Sequence, residues 1–556
     1  MNPPRHAPTV RAVTPHRAFP SPATGHARYG RPFVARRAAV AAPHELASVA
    51  GLGVLQRGGS AVDAMVAVNA ALAVVYPHMT GVGGDAFWLV HDAATGTQHV
   101  LNATGRAAAG ADPAAYAGDA IDFRGAASAI TAPGTVDGWA QAHARFGRLP
   151  LAECLAPAIA YARDGFPVGG SLARFSIAAL DLLRAFPATA AAYLRPGGAP
   201  YREGEILRIP RLADTLEAIA AGGREAFYEG ARARAIGDAV RAAGGVLSPD
   251  DLAAHRSVWA EPLRVGYRGR VALAPPPNSQ GFAALQILGL LEHVDVTALA
   301  DDPAAYVDRL VRATALAFQD RDRHLTDPDH MDVDARDLLD PGYLAERAEG
   351  LRDDSPARAL VAPAVAGDTT FSCAVDADGN AAGVIQSIYA EWGSGLVAGD
   401  TGVLLQNRGC AFSLDPAHPN VLAPGKRTAH TLTAGMVLGP HGDPELVYGT
   451  MGGEGQPQTS AAIVTRVVDH GLDPQAALDA PRWLLGRNWG EEHRGLRLEG
   501  RFGAGVAREL TARGHENVTL VDDVTELVGH AQAIAIRPGR LEAAADPRSD
   551  GAALGF

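Results

Sequence analysis

The chain has 556 residues, 47% apolar and 20% charged, a globular composition with material for a large core and little room for extensive disorder. A formal charge of −12 (49 basic against 61 acidic residues), with no Lys/Arg stripe in the body of the chain, argues against a nucleic acid as partner. Cys154, Cys373 and Cys410 are too few and too scattered for a disulfide framework or a paired-cysteine metal site, and read as small buried apolar groups.

Residues 1–37 are rich in Arg, Pro, His and Ala, hold no acidic residue and offer no apolar run for an export signal, so a disordered tail and a cytoplasmic protein are expected. A helix follows over Pro43–Gln56, stopped by Gly58 and Gly59, then a second, apolar helix through Ala64–Tyr76. The second is too short to span a bilayer and carries Asn69; it is expected to be buried, with no membrane partner. The glycines Gly81, Gly83 and Gly84 then lead into a strand, Phe87–His91. A dinucleotide site needs strand, glycine loop, then helix, so the reversed order argues against a nucleotide cofactor. From Leu149 to Gly350 the periodicity is mostly helical, with capped starts such as Ser248-Pro249-Asp250-Asp251, and this part is expected to be scaffold. The dense charges from Arg321 to His330 read as solvated surface; no metal and no cofactor are expected.

After an exposed-looking Pro/Ala run, Asp354–Gly367, strand patterns return: Phe371–Asp376 and Ala382–Tyr389 joined by the Asp378-Gly379 hairpin signal, then Thr433–Leu438 and Glu445–Gly449, a helix Thr459–His470, and a strand Ala533–Arg537. The layout suits two sheets packed between helical layers. Thr369 stands at the head of the first of these strands. Cleavage between Asp368 and Thr369 would give its hydroxyl a neighbouring free α-amine of pKa about 8, a base suited to neutral pH. An N-terminal Thr with its own amine is an activated nucleophile. Taken alone, Thr369-Thr370 is also an ordinary β-branched strand pair.

Six segments in order add to that reading: Thr80–Phe87, Pro133–Gly138, Pro275–Gly281, Gly367–Ser372, Gly449–Gly453 and Ala545–Gly551. Through them the chain, from about Val40 onward, resembles the γ-glutamyltransferase family of N-terminal-nucleophile hydrolases. The resemblance implies an α+β fold, the four-layer αββα sandwich. It also implies self-cleavage at Asp368-Thr369 into a large segment 38–368 and a small segment 369–556, paired as a heterodimer, with further homo-oligomerisation left open. By the same resemblance Gly452 and Gly453 supply oxyanion N–H donors, and Ser387 hydrogen-bonds near the catalytic amine. Strand alternation puts Ser387 and Tyr389 on one face.

Two departures bear on the substrate. Family members acting on γ-glutamyl compounds place an acidic residue after paired asparagines, to hold the α-ammonium, and a Ser-Ser pair near the α-carboxylate. Here these segments read Gln406-Asn407-Arg408-Gly409 and Lys426-Arg427-Thr428-Ala429-His430-Thr431. An unneutralised ammonium in a desolvated pocket costs several kcal/mol, which argues against a glutamyl substrate. The cations remain: Arg408, His430 and Thr431, with Asn407, Tyr389 and Arg106, form the expected substrate-binding set for a carboxylate. Tyr76–Met79, Gln386-Ser387 and Leu405–Gly409 are most similar to the oxamate-hydrolysing branch of the family. The sequence thus predicts an amidohydrolase for a small carboxylate-bearing amide. A glutathione hydrolase or γ-glutamyltransferase, and a tailoring hydrolase that removes an oxalyl-like group from a larger metabolite, are the alternatives.

Overall fold

The computed structural model describes residues 19–20, 27–351, 368–486 and 495–556, so the Asp354–Gly367 run lies outside the described residues. Two seven-stranded sheets form the centre. One runs, edge to edge, through Ala552–Gly555, Ala39–Ala42, Asp368–Val375, Ala381–Tyr389, Asp85–Asp92, Thr97–Ala103 and Val258–Ala260. The other runs through Leu263–Tyr267, Arg270–Ala274, Ala434–Leu438, Pro444–Thr450, Ala531–Arg537, Arg540–Ala545 and Phe33–Ala35. Neighbouring strands in both are antiparallel.

Alternation along Asp368–Val375 explains why this strand sits at the centre. Phe371, Cys373 and Val375 enter the apolar layer between the sheets, where they meet Leu273, Met436, Val447 and Ile534. Ser372 and Ala374 point the other way, onto the fully buried helix Ala61–Val75, where Asn69 Nδ2 donates to Ser372 Oγ at 3.1 Å. Complete burial of Phe371 alone is worth roughly 2–3 kcal/mol. The hairpin to Ala381–Tyr389 turns at Gly379 (φ +88°), with Asp376 Oδ1 accepting from the N–H groups of Asp378 and Asn380, both at 3.0 Å. On the far side of the second sheet, Gly281–Leu291, Pro303–His324 and Gln456–Val468 close the fourth layer. The fold is the αββα sandwich of the N-terminal-nucleophile hydrolase type, as the sequence predicts.

Two expectations need correction. The stretch read as helical scaffold, Leu149–Gly350, also supplies three sheet strands, Val258–Ala260, Leu263–Tyr267 and Arg270–Ala274. The expectation of a disordered tail over 1–37 does not hold for residues 29–35: Phe33–Ala35 is an edge strand paired with Arg540–Ala545, and the N–H groups of Tyr29 and Gly30 donate to Asp479 Oδ2 at 2.9 and 3.2 Å. Arg-rich flanks obscure this short apolar triplet in the sequence.

Candidate active site

The register between the sheets locates Thr369. Gly383, the ladder partner of Cys373, lies against Val447, and the Phe371 ring fills the place where Gly449 would carry a Cβ. Two residues earlier on the same strand, Thr369 therefore stands at the end of Pro444–Thr450, where the chain turns into Met451-Gly452-Gly453. Its side chain is fully buried and Oγ1 has no hydrogen-bond partner among the described residues. The neighbouring Thr370 hydroxyl, by contrast, donates to the Gln386 carbonyl at 3.1 Å. The ladder shifts between Asp368 and Thr370, so an irregularity falls on the proposed scissile junction.

Gly452 and Gly453 form the turn ahead of the helix Gln456–Val468, at φ +130° and +51°, values that favour glycine. A Cβ on Gly452 would also stand 3.2 Å from Gly529 Cα. With no side chain in the way, N–H groups preceding a helix can face a developing negative charge.

A buried cation lies near the head of the strand Asp368–Val375. Asp368 pairs with Tyr389, and the Arg408 guanidinium lies over the Tyr389 ring, 3.8 Å from its centroid. Arg408 is 1% exposed, and its Nε and Nη1 have no hydrogen-bond partner among the described residues. Burial pulls its pKa down to about 10, still charged at neutral pH, and pushes the Tyr389 phenol up. Tyr389 has φ +81°, strained for a non-glycine residue. Because of that kink its N–H donates to Ser387 Oγ at 2.7 Å.

His430 completes this side. Leu432 N–H donates to its Nδ1 at 3.4 Å, which leaves the proton on Nε2, 3.3 Å from Asp85 Oδ2. Burial, assisted by Arg408, brings its pKa down to about 4, so the ring is neutral at pH 7. Asp85 pairs with Ser387 in the ladder and accepts from the N–H groups of Gly105 and Gly134 through Oδ1, both at 3.1 Å. Thr431 Oγ1 is buried and unpartnered.

The remaining predicted residues face elsewhere. Arg106 gives Nη1 to Asp327 and Nη2 to Asp329, each at 3.1 Å, and is 40% exposed; its fork is already occupied by carboxylates. Asn407 accepts from Ala390 N–H at 3.0 Å and donates to the Phe123 carbonyl at 2.8 Å, which makes it a brace for the chain around Arg408. Arg321, read as solvated surface, is 5% exposed and packs over Phe318, 3.7 Å from the ring centroid. Asp85 and Gln280 lie in segments that carry the family resemblance but were not read as site residues, and Gln456 was not singled out; Gln456 Nε2 is buried without a partner among the described residues while its Oε1 accepts from Thr433 N–H at 3.0 Å. Among the described residues, the group able to converge on a metal ion is Asp63, His143 and Cys154, but His143 Nε2 already meets the Leu149 carbonyl at 2.7 Å.

A threonine heading a central strand of an αββα sandwich is the arrangement of amide hydrolases and acyltransferases of the N-terminal-nucleophile class. A family model described as gamma-glutamyltranspeptidase matches residues 47–556. The chain is 47% identical over 523 residues to the glutathione hydrolase-like YwrD proenzyme of Bacillus subtilis (strain 168), and 45% identical over 523 residues to the oxamate amidohydrolase proenzyme of Klebsiella pneumoniae subsp. pneumoniae. Each match covers 93% of this chain and 98% of the relative. The crystal structure of cephalosporin acylase from Bacillus halodurans superposes with a TM-score of 0.88 at 35% identity, covering 97% of this chain and 99% of that one. The chain belongs to the gamma-glutamyltranspeptidase family and is an amide hydrolase or acyltransferase. No helix among the described residues is long and apolar enough to cross a membrane.

Proposed function

We propose that the protein cleaves itself between Asp368 and Thr369 and then hydrolyses a small, carboxylate-bearing amide of the oxamate kind. The observation that carries this is Arg408: a buried, charged guanidinium stacked on the ring of Tyr389, the ladder partner of Asp368, with Nε and Nη1 unpartnered among the described residues. A charge held this way is costly unless an anion arrives with the ligand. Asp85, the nearby carboxylate, is bound to two backbone N–H groups and faces His430, and Glu454 lies 3.6 Å from Arg321. Neither carboxylate is placed to prefer an α-ammonium, which favours an acyl group with a carboxylate and no amine over a γ-glutamyl one.

In the cleavage, Thr369 Oγ1 attacks the Asp368 carbonyl, the acyl group shifts from nitrogen to oxygen, and water hydrolyses the ester. This yields a C-terminal carboxylate and the Thr369 amine. In turnover the amine takes the hydroxyl proton as Oγ1 attacks the substrate amide, and passes it to the leaving amine; water then releases the acid from the ester. Gly452 and Gly453 N–H groups hold the oxyanion, a donor of this kind being worth about 3–4 kcal/mol.

The test joins N-terminal sequencing to an ammonia-release assay. The smaller fragment begins at Thr369, oxamate is turned over faster than a γ-glutamyl anilide, and Thr369→Ala gives one intact, inactive chain. Wild-type activity in an unbroken polypeptide would defeat the proposal, and preference for the anilide would move it to the glutathione hydrolase reading.

A further inference from the structure

The Pro275–Gly281 motif has no role in the chemistry above, yet three consecutive polar side chains in it are buried against the site. Asn278 Nδ2 donates to the Thr428 carbonyl at 2.8 Å, Ser279 Oγ to that of Leu432 at 2.6 Å, and Gln280 Nε2 to that of Thr431 at 2.7 Å. Main-chain bonds interleave with these: His430 N–H donates to the Asn278 carbonyl at 2.8 Å and Gln280 N–H to the His430 carbonyl at 2.9 Å. Asn278 also meets Asn102 and Thr104, whereas Gln280 reaches the glycine turn. Its Nε2 also donates to the Gly453 carbonyl at 2.9 Å, so one carboxamide joins the segment bearing His430 and Thr431 to the turn bearing Gly452 and Gly453.

The orientation of that carboxamide is fixed at its other end. Arg321 Nη1 donates to Gln280 Oε1 at 3.2 Å, and Arg321 Nη2 lies 3.6 Å from the Glu454 carboxylate on the same turn. Two carbonyl acceptors and one guanidinium donor define which end of the amide is nitrogen. Gly452 and Gly453 have no side chains with which to anchor themselves, and glycine backbones are the most free to move. The Gly453 carbonyl lies on the peptide unit that follows the Gly453 N–H, so holding it restricts rotation about the Gly453 Cα–C bond and limits how the turn carrying the N–H donors can move. We propose that Gln280 is a positioning residue that holds this turn in the geometry needed for the oxyanion and couples it to the anion-binding segment. The inference rests on the reading of Gly452 and Gly453 as oxyanion donors; Gln280 itself touches no reacting atom.

The experiment measures kcat and KM separately, on whichever of oxamate or γ-glutamyl anilide the cleaved wild type turns over, for Gln280→Leu, Gln280→Glu and Arg321→Met. Gln280→Leu is expected to lower kcat about 30- to 100-fold with KM within about threefold, as for a misaligned transition-state contact. Gln280→Glu is similarly slow at neutral pH, and its rate relative to wild type rises as the pH is lowered, because the protonated carboxyl regains one donor for the Gly453 carbonyl. Arg321→Met leaves the carboxamide in place but unanchored, lowers kcat about 5- to 20-fold, and carries the same test if the Gln280 variants do not fold. A Gln280→Leu enzyme correctly cleaved at Thr369 with kcat within twofold of wild type, or a loss confined to KM, would overturn the inference alone. An intact, inactive wild type would instead remove the reading beneath it, and the inference with it.

Discussion

Arg408 holds a full charge where the described residues supply a tyrosine face and no direct carboxylate partner. Such a residue lowers stability in the free protein and repays it only when an anion binds, which separates its two contributions experimentally. Arg408→Met keeps most of the side-chain volume over Tyr389 and removes the charge. It is expected to reduce kcat/KM for oxamate by about 30- to 150-fold, the loss of about 2–3 kcal/mol of charge-assisted hydrogen bonding, while leaving turnover of a neutral amide such as propanamide nearly unchanged. Its urea midpoint should equal or exceed that of wild type, because an uncompensated buried cation has gone. Arg408→Lys keeps the charge but not the planar fork, and is expected to fall between the two. Equal losses on oxamate and propanamide would show that Arg408 supports the fold and does not read the acid.

The helix Ala61–Val75 shows how much an element depends on its first turn. Ser60 and Asp63 form a reciprocal capping box, and Asp63 Oδ2 also accepts from the N–H groups of Arg148 and Leu149 at 2.8 and 3.2 Å, tying the helix to the loop ahead of Leu151–Asp164. Ser60→Ala removes one cap bond and is expected to cost about 1 kcal/mol; Asp63→Ala strands the buried Ser60 N–H and the half-buried N–H groups of Arg148 and Leu149, and is expected to cost about 2 kcal/mol or more. Urea midpoints of the two variants rank them, and equal midpoints would refute the assignment. Features of this kind, built within a few residues, were legible in the sequence: the Asp378-Gly379 hairpin, the glycine pair at 452–453, and Thr369 heading its strand. Leu263–Tyr267 was not, although its side chains alternate cleanly between core and solvent, because it is short and lies between helices. Bonds between distant positions were also invisible. Gln280 meets Gly453 across 173 residues and His430 meets Asp85 across 345, so no local pattern announces either. Arg106 could be recognised as a cation, but its neutralisation by Asp327 and Asp329 depends on a fold that brings together chain 221 and 223 residues apart.

Across the whole molecule, buried imidazoles set how stability responds to acid. Burial lowers the pKa values of His44, His430 and His530 to about 4, so each is neutral in the fold, whereas an unfolded chain protonates them near 6.5. The unfolded state therefore binds more protons between about pH 6.5 and 4, and stability must fall as the pH drops through that window, by about 1.4 kcal/mol per pH unit for each histidine. Glu526 acts in the opposite sense: burial raises its pKa to about 7, so its contribution is present below the ordinary carboxyl value and lost as the pH rises through 7. Burial raises the pKa values of Asp479 and Asp550 too, but it also lowers those of His78 and His255, so the imidazoles still outweigh the carboxyls. Below pH 4 a second loss begins. Burial alone would raise Asp546, but Arg482 and Arg548 outweigh it and hold the carboxyl low, and protonation then breaks the buried Arg548–Asp546 pair, 3.0 Å apart. The urea midpoint of the uncleaved Thr369→Ala chain should accordingly decline steadily from pH 6.5 to 4.5. His44→Asn retains an acceptor for Leu46 N–H, which His44 Nδ1 now caps at 3.2 Å, and removes one titrating ring; its decline should be shallower by about 1.4 kcal/mol per pH unit. A flat wild-type profile over that range would mean that the buried rings keep their protons in the fold, and the neutral His430 invoked beside Arg408 would have to be replaced by an imidazolium that itself binds the substrate carboxylate.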